Sequence, residues 1–118
     1  MKFLCLAYPD RGFSPGPGLV AGYAAPGEAM RAAGVLAGSG QLSPGDASAL
    51  VRVTDGRAGV GEGRPPGSGP QPSAYSVIDC PDLDAALGWA ARIPAASYGT
   101  AEVRPPPDNY GRPARGAW

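Results

Sequence analysis

Residues 74–106 read AYSVIDCPDLDAALGWAARIPAASYGTAEVRPP, and this stretch predicts a strand, a helix and a second strand in immediate succession. Residues 75–80 are rich in β-branched and aromatic side chains and lie between a Gly/Pro-rich loop and Pro81, as expected of a short strand. Residues 100–104 alternate polar and apolar side chains, which is typical of a half-exposed strand. A helix that connects two strands of one small sheet predicts half of a ferredoxin-like unit.

The helix between these strands carries its own start and stop signals. Asp82 has the short acceptor side chain of an N-cap, and Asp84 adds negative charge in the first turn, where it suits the helix dipole. Apolar residues then recur at helical spacing. Because Pro94 cannot continue a helix, we expect the helix to end near Ile93.

A matching half precedes this unit. Residues 3–8 are apolar on both faces, which is typical of a central strand covered by helices on one side and by a partner sheet on the other, and this favours a dimer. Residues 19–36 have helical composition interrupted at Pro26, so the secure part of this helix is predicted at 27–33, with Gly34 just past its end.

The middle of the chain predicts a hairpin between two loops. Residues 49–54 alternate well enough for a strand whose Val51 and Val53 face inward. Asp55-Gly56 fits a two-residue hairpin turn, followed by a short return strand at 57–60. Residues 38–46 and 61–73 are predicted to be loops, because turn-forming residues dominate both.

These segments also resemble a known family. The stretches MKFLCLAY, MRAAGVLAGSG, VRVTDG and VIDCPDLDAALGWAARIPAASYGTAEVRP are similar to the YCII-related family, specifically its DGPF branch. The resemblance covers roughly residues 1–105 and leaves 106–118 as a Pro- and Arg-containing tail, either frayed or docked through Tyr110 and Trp118. It implies an α+β domain with the ferredoxin-like order βαββαβ, an antiparallel sheet, and a homodimer that forms a dimeric α+β barrel.

The loop at 61–73 departs from that branch. Where the branch carries Asp-Gly-Pro-Phe, residues 62–65 of this chain read EGRP, and GSG at 67–69 replaces the charged residues that usually follow. The DGPF motif is therefore degenerate. Any function tied to that motif is not carried over to this chain.

Composition excludes several classes of function. A chain of 118 residues allows one domain with a single core. Ten basic and ten acidic residues cancel, which argues against a nucleic-acid partner. No apolar run is long enough to span a membrane, and the apolar start of the chain is too short for a signal peptide. We therefore expect a cytoplasmic protein, in which the two cysteines are reduced thiols.

The chain contains no histidine. This excludes Ser/His/Asp and Cys/His catalysis and removes the usual general base at neutral pH. Two isolated cysteines make a poor ligand set for zinc, and we expect neither a metal nor a cofactor.

The resemblance also indicates where an active site would lie. It places the family's helix-one histidine and helix-two aspartate at Tyr23 and Ile93, so that pair is absent here. A phenol at the catalytic position can still act as an acid or as an orienting donor. We therefore predict that the candidate site residues lie in the cleft between the helices and the sheet. The catalytic candidates are Tyr23, Tyr8 and Arg92. The ligand-binding candidates are Arg31, Tyr75 and Asp79, with Glu102 nearby.

Each candidate also has a simpler structural interpretation, as a packed strand aromatic, a helix-end cation or a turn cap. Two functional hypotheses follow from the family. The first is an enzyme acting on a small molecule, such as an isomerase, cyclase or lyase of a bacterial secondary pathway. The second is a non-catalytic regulatory partner of an extracytoplasmic-function sigma factor, and a degenerate structural homologue is the third possibility.

Overall fold

The computed structural model describes residues 1–10 and 24–107. Its main body is a four-stranded antiparallel sheet of β1 (Lys2–Pro9), β2 (Leu36–Gln41), β5 (Ala74–Asp79) and β6 (Gly99–Arg104), in the order β2-β5-β1-β6. A separate two-stranded sheet contains β3 (Ala49–Thr54) and β4 (Arg57–Glu62). Three helices, α1 (Ala24–Ala32), α2 (Leu83–Ala90) and the short α3 (Ala95–Tyr98), complete the described part, with a 3₁₀ turn at Gly45–Ala47. The strand order is that of a ferredoxin-like unit, so the predicted α+β class and antiparallel sheet are confirmed.

Strand β1 lies in the middle of the sheet and its alternate side chains face opposite directions. Phe3 and Cys5 face the helices and pack in one buried cluster with Ile78 of β5 and Met30 of α1. Phe3 and Ile78 are both 0% exposed and are directly opposite each other across the β1–β5 pair. This pair is the centre of the core.

The local signals at α2 act as the sequence predicts. The Asp82 side chain accepts a hydrogen bond from the Ala85 backbone N–H at 2.8 Å, which makes Asp82 the N-cap. The helix itself ends at Ala90, and tighter turns carry the chain on to Ile93 before Pro94 leads into α3. Helix α3 leads directly into β6 at Gly99.

Helix α1 ends where the sequence predicts. Gly34 adopts φ +74°, and the Val35 N–H donates to the Met30 carbonyl at 2.9 Å while the Gly34 N–H donates to Arg31 at 3.0 Å. These two bonds form a Schellman motif, which a residue with a side chain would strain at position 34. Pro26 lies within the first turn of the described helix.

The prediction of a loop at 38–46 is wrong for its first half. Residues 38–41 belong to β2, which pairs with β5 through Ser39 with Ser76 and Gly40 with Tyr75. The segment LAGSGQ has no β-branched residue, so its strand form depends on the edge that β5 offers. The Tyr75 ring lies over Gly40, where an added Cβ would approach the ring to 2.8 Å.

The hairpin is correct in position and turn, but its orientation differs from the prediction. Asp55 (φ 52°) and Gly56 (φ 77°) form the turn. A type I′ turn requires a positive φ at both of its central residues, and both residues meet this requirement. Val51 and Val53 are 68% and 65% exposed, so the expectation that they face inward is wrong. They belong to the separate two-stranded sheet, and β2 rather than β3 is the edge strand beside β5 in the main sheet.

The loop after the hairpin begins later than predicted, because β4 continues through Glu62. Residues 63–73 are irregular, as expected. They are nevertheless attached to the body, since the Gly63 N–H donates to the Ser48 carbonyl at 2.8 Å and Arg64 pairs with Asp46 at 3.1 Å. In the part of the chain that the structure describes, no helix is long and apolar enough to cross a membrane.

Replacing Asp82 by Ala should lower the free energy of unfolding by about 1 kcal/mol, because the N-cap hydrogen bond to Ala85 is lost. Asp82→Asn keeps an acceptor oxygen and should retain most of that stability. Urea denaturation followed by circular dichroism measures both. Equal stabilities for Asp82→Ala and the unaltered chain would contradict the capping role.

Candidate functional site

A cleft of about 520 Å³ lies between the helices and one face of the sheet, and we call it the helix–sheet cleft. Its floor is the helix-facing side of β1, β2 and β5, and its walls are the first turn of α1 and the start of α3. The residues that line it include Cys5, Ala7, Ser39, Gln41, Ala74, Ser76, Ile93 and Tyr98.

None of the described residues that line the helix–sheet cleft carries a charge. Its polar groups are hydroxyls, one amide and one thiol, and the remainder of its surface is apolar. Placing an unpaired charge in such surroundings is costly, whereas apolar area and a few neutral hydrogen bonds can be satisfied. The cleft is therefore suited to an uncharged ligand.

Cys5 lies at the floor of the cleft. Burial raises the pKa of the Cys5 thiol and outweighs the hydrogen bond to the Ser76 side chain, which lowers it, while Cys80 raises it slightly further. Burial also raises the pKa of Cys80, helped by the nearby Asp79 carboxylate. Because the thiolate is the nucleophilic form, Cys5 is a poor nucleophile near neutral pH.

A second cavity of about 1110 Å³ opens on the opposite face of the sheet, and we call it the polar groove. Within it the Tyr8 hydroxyl donates to Glu102 Oε1 at 2.9 Å, and the other carboxylate oxygen pairs with Arg104 Nε at 3.3 Å. Burial raises the pKa of Tyr8, and the hydrogen bond to Glu102 raises it further. Tyr8 therefore stays protonated and acts as a donor near neutral pH.

The structure does not bring the predicted site residues into one cleft. Tyr75 is among the residues that line the helix–sheet cleft, but it alternates with the cleft-facing Ser76 on β5 and its ring lies over Gly40. Tyr8 and Glu102 line the polar groove on the other side of the sheet. Phe3 and Cys5 face the helices, and side chains alternate along a strand, so Tyr8 must face the other side of the sheet. The alternation along β1 could have indicated this from the sequence.

The remaining candidates lie elsewhere. Asp79 accepts a hydrogen bond from the Met1 amino group at 3.0 Å. The Arg92 guanidinium lies 4.8 Å from the centre of the Trp89 ring, and Arg31 is exposed in the last turn of α1. Tyr23 lies outside the described residues. The functional roles of all these residues stay predictions.

Several residues of the cleft were missed by sequence reasoning. Ser76 could have been found, because it alternates with buried Ile78 on a predicted strand. Ser39 and Gln41 gave no signal, since their strand was not recognised. Among the described residues, no group of three or more His, Cys, Asp or Glu side chains could hold a metal ion.

Comparison with known proteins agrees with this architecture. A family model for the YCII-related domain matches residues 1–105. The chain belongs to the YCII-related family. The match covers both halves of the ferredoxin-like unit, and the DGPF branch within the family stays a prediction.

A solved structure similar to this YCII-related chain is that of 5-chloro-2-hydroxyhydroquinone dehydrochlorinase (TftG) from Burkholderia phenoliruptrix AC1100, in complex with 2,5-dihydroxybenzoquinone. The two share 14% sequence identity with a TM-score of 0.50, over 89% of this chain and 92% of that chain. At this identity the likeness shows the fold alone. No curated protein matches the chain.

Because the Cys5 and Cys80 thiols are buried, we expect the free energy of unfolding to fall as the pH rises above about 9, which is the ordinary pKa of a thiol. Their pKa values are raised in the folded state, so the folded chain binds more protons than the unfolded chain in this range. The stability they contribute is fully present below the unfolded-state pKa and is lost as pH rises through the folded-state pKa.

Urea denaturation between about pH 7 and about pH 10.5 measures this fall. Cys5→Ala should give a shallower dependence on pH, even though its stability at neutral pH is lower. A stability that does not change across the range would show that the thiols titrate alike in both states.

Proposed function

We propose that this YCII-related chain binds a small, uncharged and mainly apolar molecule in the helix–sheet cleft. The observation that carries the proposal is the chemistry of the lining, whose described residues are apolar or neutral. A volume of about 520 Å³ falls within the usual range of ligand pockets. Burial of the ligand's apolar surface would supply most of the binding free energy.

The dimensions favour a ligand with one ring. The cleft is lined by three neutral side chains that can form hydrogen bonds: Ser76 on β5, Gln41 on β2 and Tyr98 on α3. A ring with one or two carbonyl or hydroxyl groups would match this pattern, because its polar atoms need partners once they leave water. TftG, whose fold is similar, was solved with 2,5-dihydroxybenzoquinone, which shares the single ring with carbonyl and hydroxyl groups although its hydroxyls are acidic.

The position of the cleft agrees with the resemblance. Ile93, where the family carries its helix-two aspartate, lines the helix–sheet cleft, and Tyr23 directly precedes α1 in the sequence. The described lining offers no carboxylate or other group to take up a proton at neutral pH. Ligand binding is therefore supported more strongly than acid–base catalysis.

Replacing Ala74 by Phe should abolish ligand binding, because Ala74 faces the cleft from β5 and a ring there would occupy the ligand's space. Ala96→Phe places the same ring on the exposed side of α3 beside the cleft and should leave binding unchanged. Thermal shift and ligand-observed NMR with neutral single-ring probes, hydroquinone and acetophenone, measure the effect. Equal binding by Ala74→Phe and the unaltered chain would place the ligand elsewhere.

We also propose, as the finer form of the first hypothesis, that Tyr23 is the catalytic phenol of an isomerase, cyclase or lyase acting on that ligand. Tyr23→Phe keeps the ring and removes one donor. Stability should then change by about 1 kcal/mol while turnover falls about tenfold or more. Turnover equal to that of the unaltered chain, once a substrate is known, would remove Tyr23 from the mechanism. Tyr8 and Arg92 are weaker catalytic candidates, since neither lines the cleft.

A homodimer through the sheet face opposite the helices is the third part of the proposal. Leu4 and Val77 are only partly buried on this face, where they are directly opposite each other across β1 and β5. Sedimentation at micromolar concentration should give a dimer, and Val77→Arg should weaken it, because a charge would be buried in the interface. A monomeric unaltered chain would overturn this. No comparison favours the sigma-factor alternative, and a cytoplasmic location stays a prediction.

A further inference from the structure

The polar groove is a second cavity whose chemistry differs from that of the helix–sheet cleft. We propose that it binds an uncharged, hydroxyl-rich small molecule, such as a sugar or a cyclitol, between the ends of β1 and β6 and the loop at 63–71. It lies on the opposite face of the sheet from the cleft, and the two share only Pro9 among their described lining residues. The inference therefore does not depend on the proposed cleft ligand, and the groove lies at the Tyr8 end of the sheet face whose Leu4 and Val77 carry the proposed dimer contact.

The floor of the groove is a hydrogen-bonded network across two strands. Tyr8 lies opposite Thr100, and Leu6 lies opposite Glu102, so the Tyr8 hydroxyl reaches the Glu102 carboxylate at 2.9 Å. Arg104 pairs with the second carboxylate oxygen at 3.3 Å and balances its charge. The floor thus has fixed donors and acceptors, with its carboxylate already neutralised.

The network leaves hydrogen-bonding capacity for a ligand. The Tyr8 hydroxyl donates its proton to Glu102 and is also hydrogen-bonded to the Arg104 guanidinium, whereas the Thr100 hydroxyl, which also lines the groove, can donate to and accept from a ligand. A ligand hydroxyl also does both. Alternating donors and acceptors therefore fit a row of hydroxyl groups better than a group that only donates or only accepts.

The loop side of the groove repeats this arrangement. Arg64 pairs with Asp46 at 3.1 Å and keeps further N–H donors, while the Gln71 side chain is fixed by a 3.0 Å bond to the Gly69 carbonyl. Asp10 supplies an additional carboxylate acceptor. Because both guanidinium groups are already paired, a phosphate or carboxylate on the ligand would gain little attraction and would meet the Asp10 carboxylate.

Apolar surface complements these polar groups. Pro9 borders the groove from the end of β1, and Pro70 borders it from the loop. Two rigid pyrrolidine rings offer flat apolar area to the C–H face of a sugar or cyclitol ring. The combination of paired charges, hydroxyls and proline rings is what points to a neutral polyol.

Saturation-transfer NMR on the full chain tests the proposal, with glucose and myo-inositol as neutral probes and glucose 6-phosphate and glucosamine as charged probes. Both neutral probes should receive saturation on their ring protons. Tyr8→Phe removes the central hydroxyl and Glu102→Gln removes the charge that orients Arg104, so each should weaken binding about fivefold or more. The control Arg52→Gln, in the separate hairpin, should bind as the unaltered chain does.

Three results would overturn the inference. They are no saturation of either neutral probe, unchanged affinity in both groove variants, and tighter binding of a charged probe than of glucose. Far-UV circular dichroism checks that each variant is folded. If Glu102→Gln or Tyr8→Phe does not fold, Thr100→Val keeps the β-branched shape, removes one groove hydroxyl and should show the same loss.

Discussion

The alternation of side chains along β1 is the constraint on which the two cavities depend. This strand is hydrogen-bonded on both sides, to β5 and to β6, so neither neighbour can shift without breaking a ladder. Phe3 opposite Ile78 fixes the register, because both are fully buried and a slip of one residue would turn each to the other face. The buried pair thereby decides which side chains form the cleft and which form the groove.

The same alternation separates neutral chemistry from charged chemistry. Cys5 lies opposite Ser76 and Val103, so the helix-facing side of the central strands offers one thiol, one hydroxyl and apolar surface. Leu6 lies opposite Glu102, so the carboxylate is placed on the other face, where Arg104 and Tyr8 can reach it. A carboxylate on the helix side would be desolvated among apolar residues without such partners.

The fold could be predicted where local signals and tertiary packing agree. Asp82 caps α2, Gly34 ends α1, and Asp55-Gly56 forms the hairpin turn. Each of these features depends only on the side chain or the φ value of the residue at that position, so the local sequence is enough to predict it. Strand β2 could not be predicted, since LAGSGQ has no strand preference of its own and forms only because β5 lies beside it. The valines of the hairpin show the opposite error. Their alternation correctly predicted a strand, but that strand is not part of the main sheet, so the valines are exposed.

The candidate site was less predictable than the fold, because sequence spacing shows which residues share a face but not which faces enclose a cavity. Tyr75 is among the residues that line the helix–sheet cleft, whereas Tyr8 takes part in a network with Glu102 that a resemblance to helix-based catalytic residues could not reveal. Ser39 and Gln41 depended on recognising β2.

Ile93 and the absence of histidine both bear on the chemistry of the helix–sheet cleft. Ile93 is partly buried against the core and lines the cleft, where the resemblance expects an aspartate. A carboxylate at that position would need a cationic or donor partner, and no histidine exists to provide it. Isoleucine instead adds apolar surface to the wall and removes the need for a partner. At this position the described wall of the cleft therefore offers apolar surface for packing and no group for proton transfer.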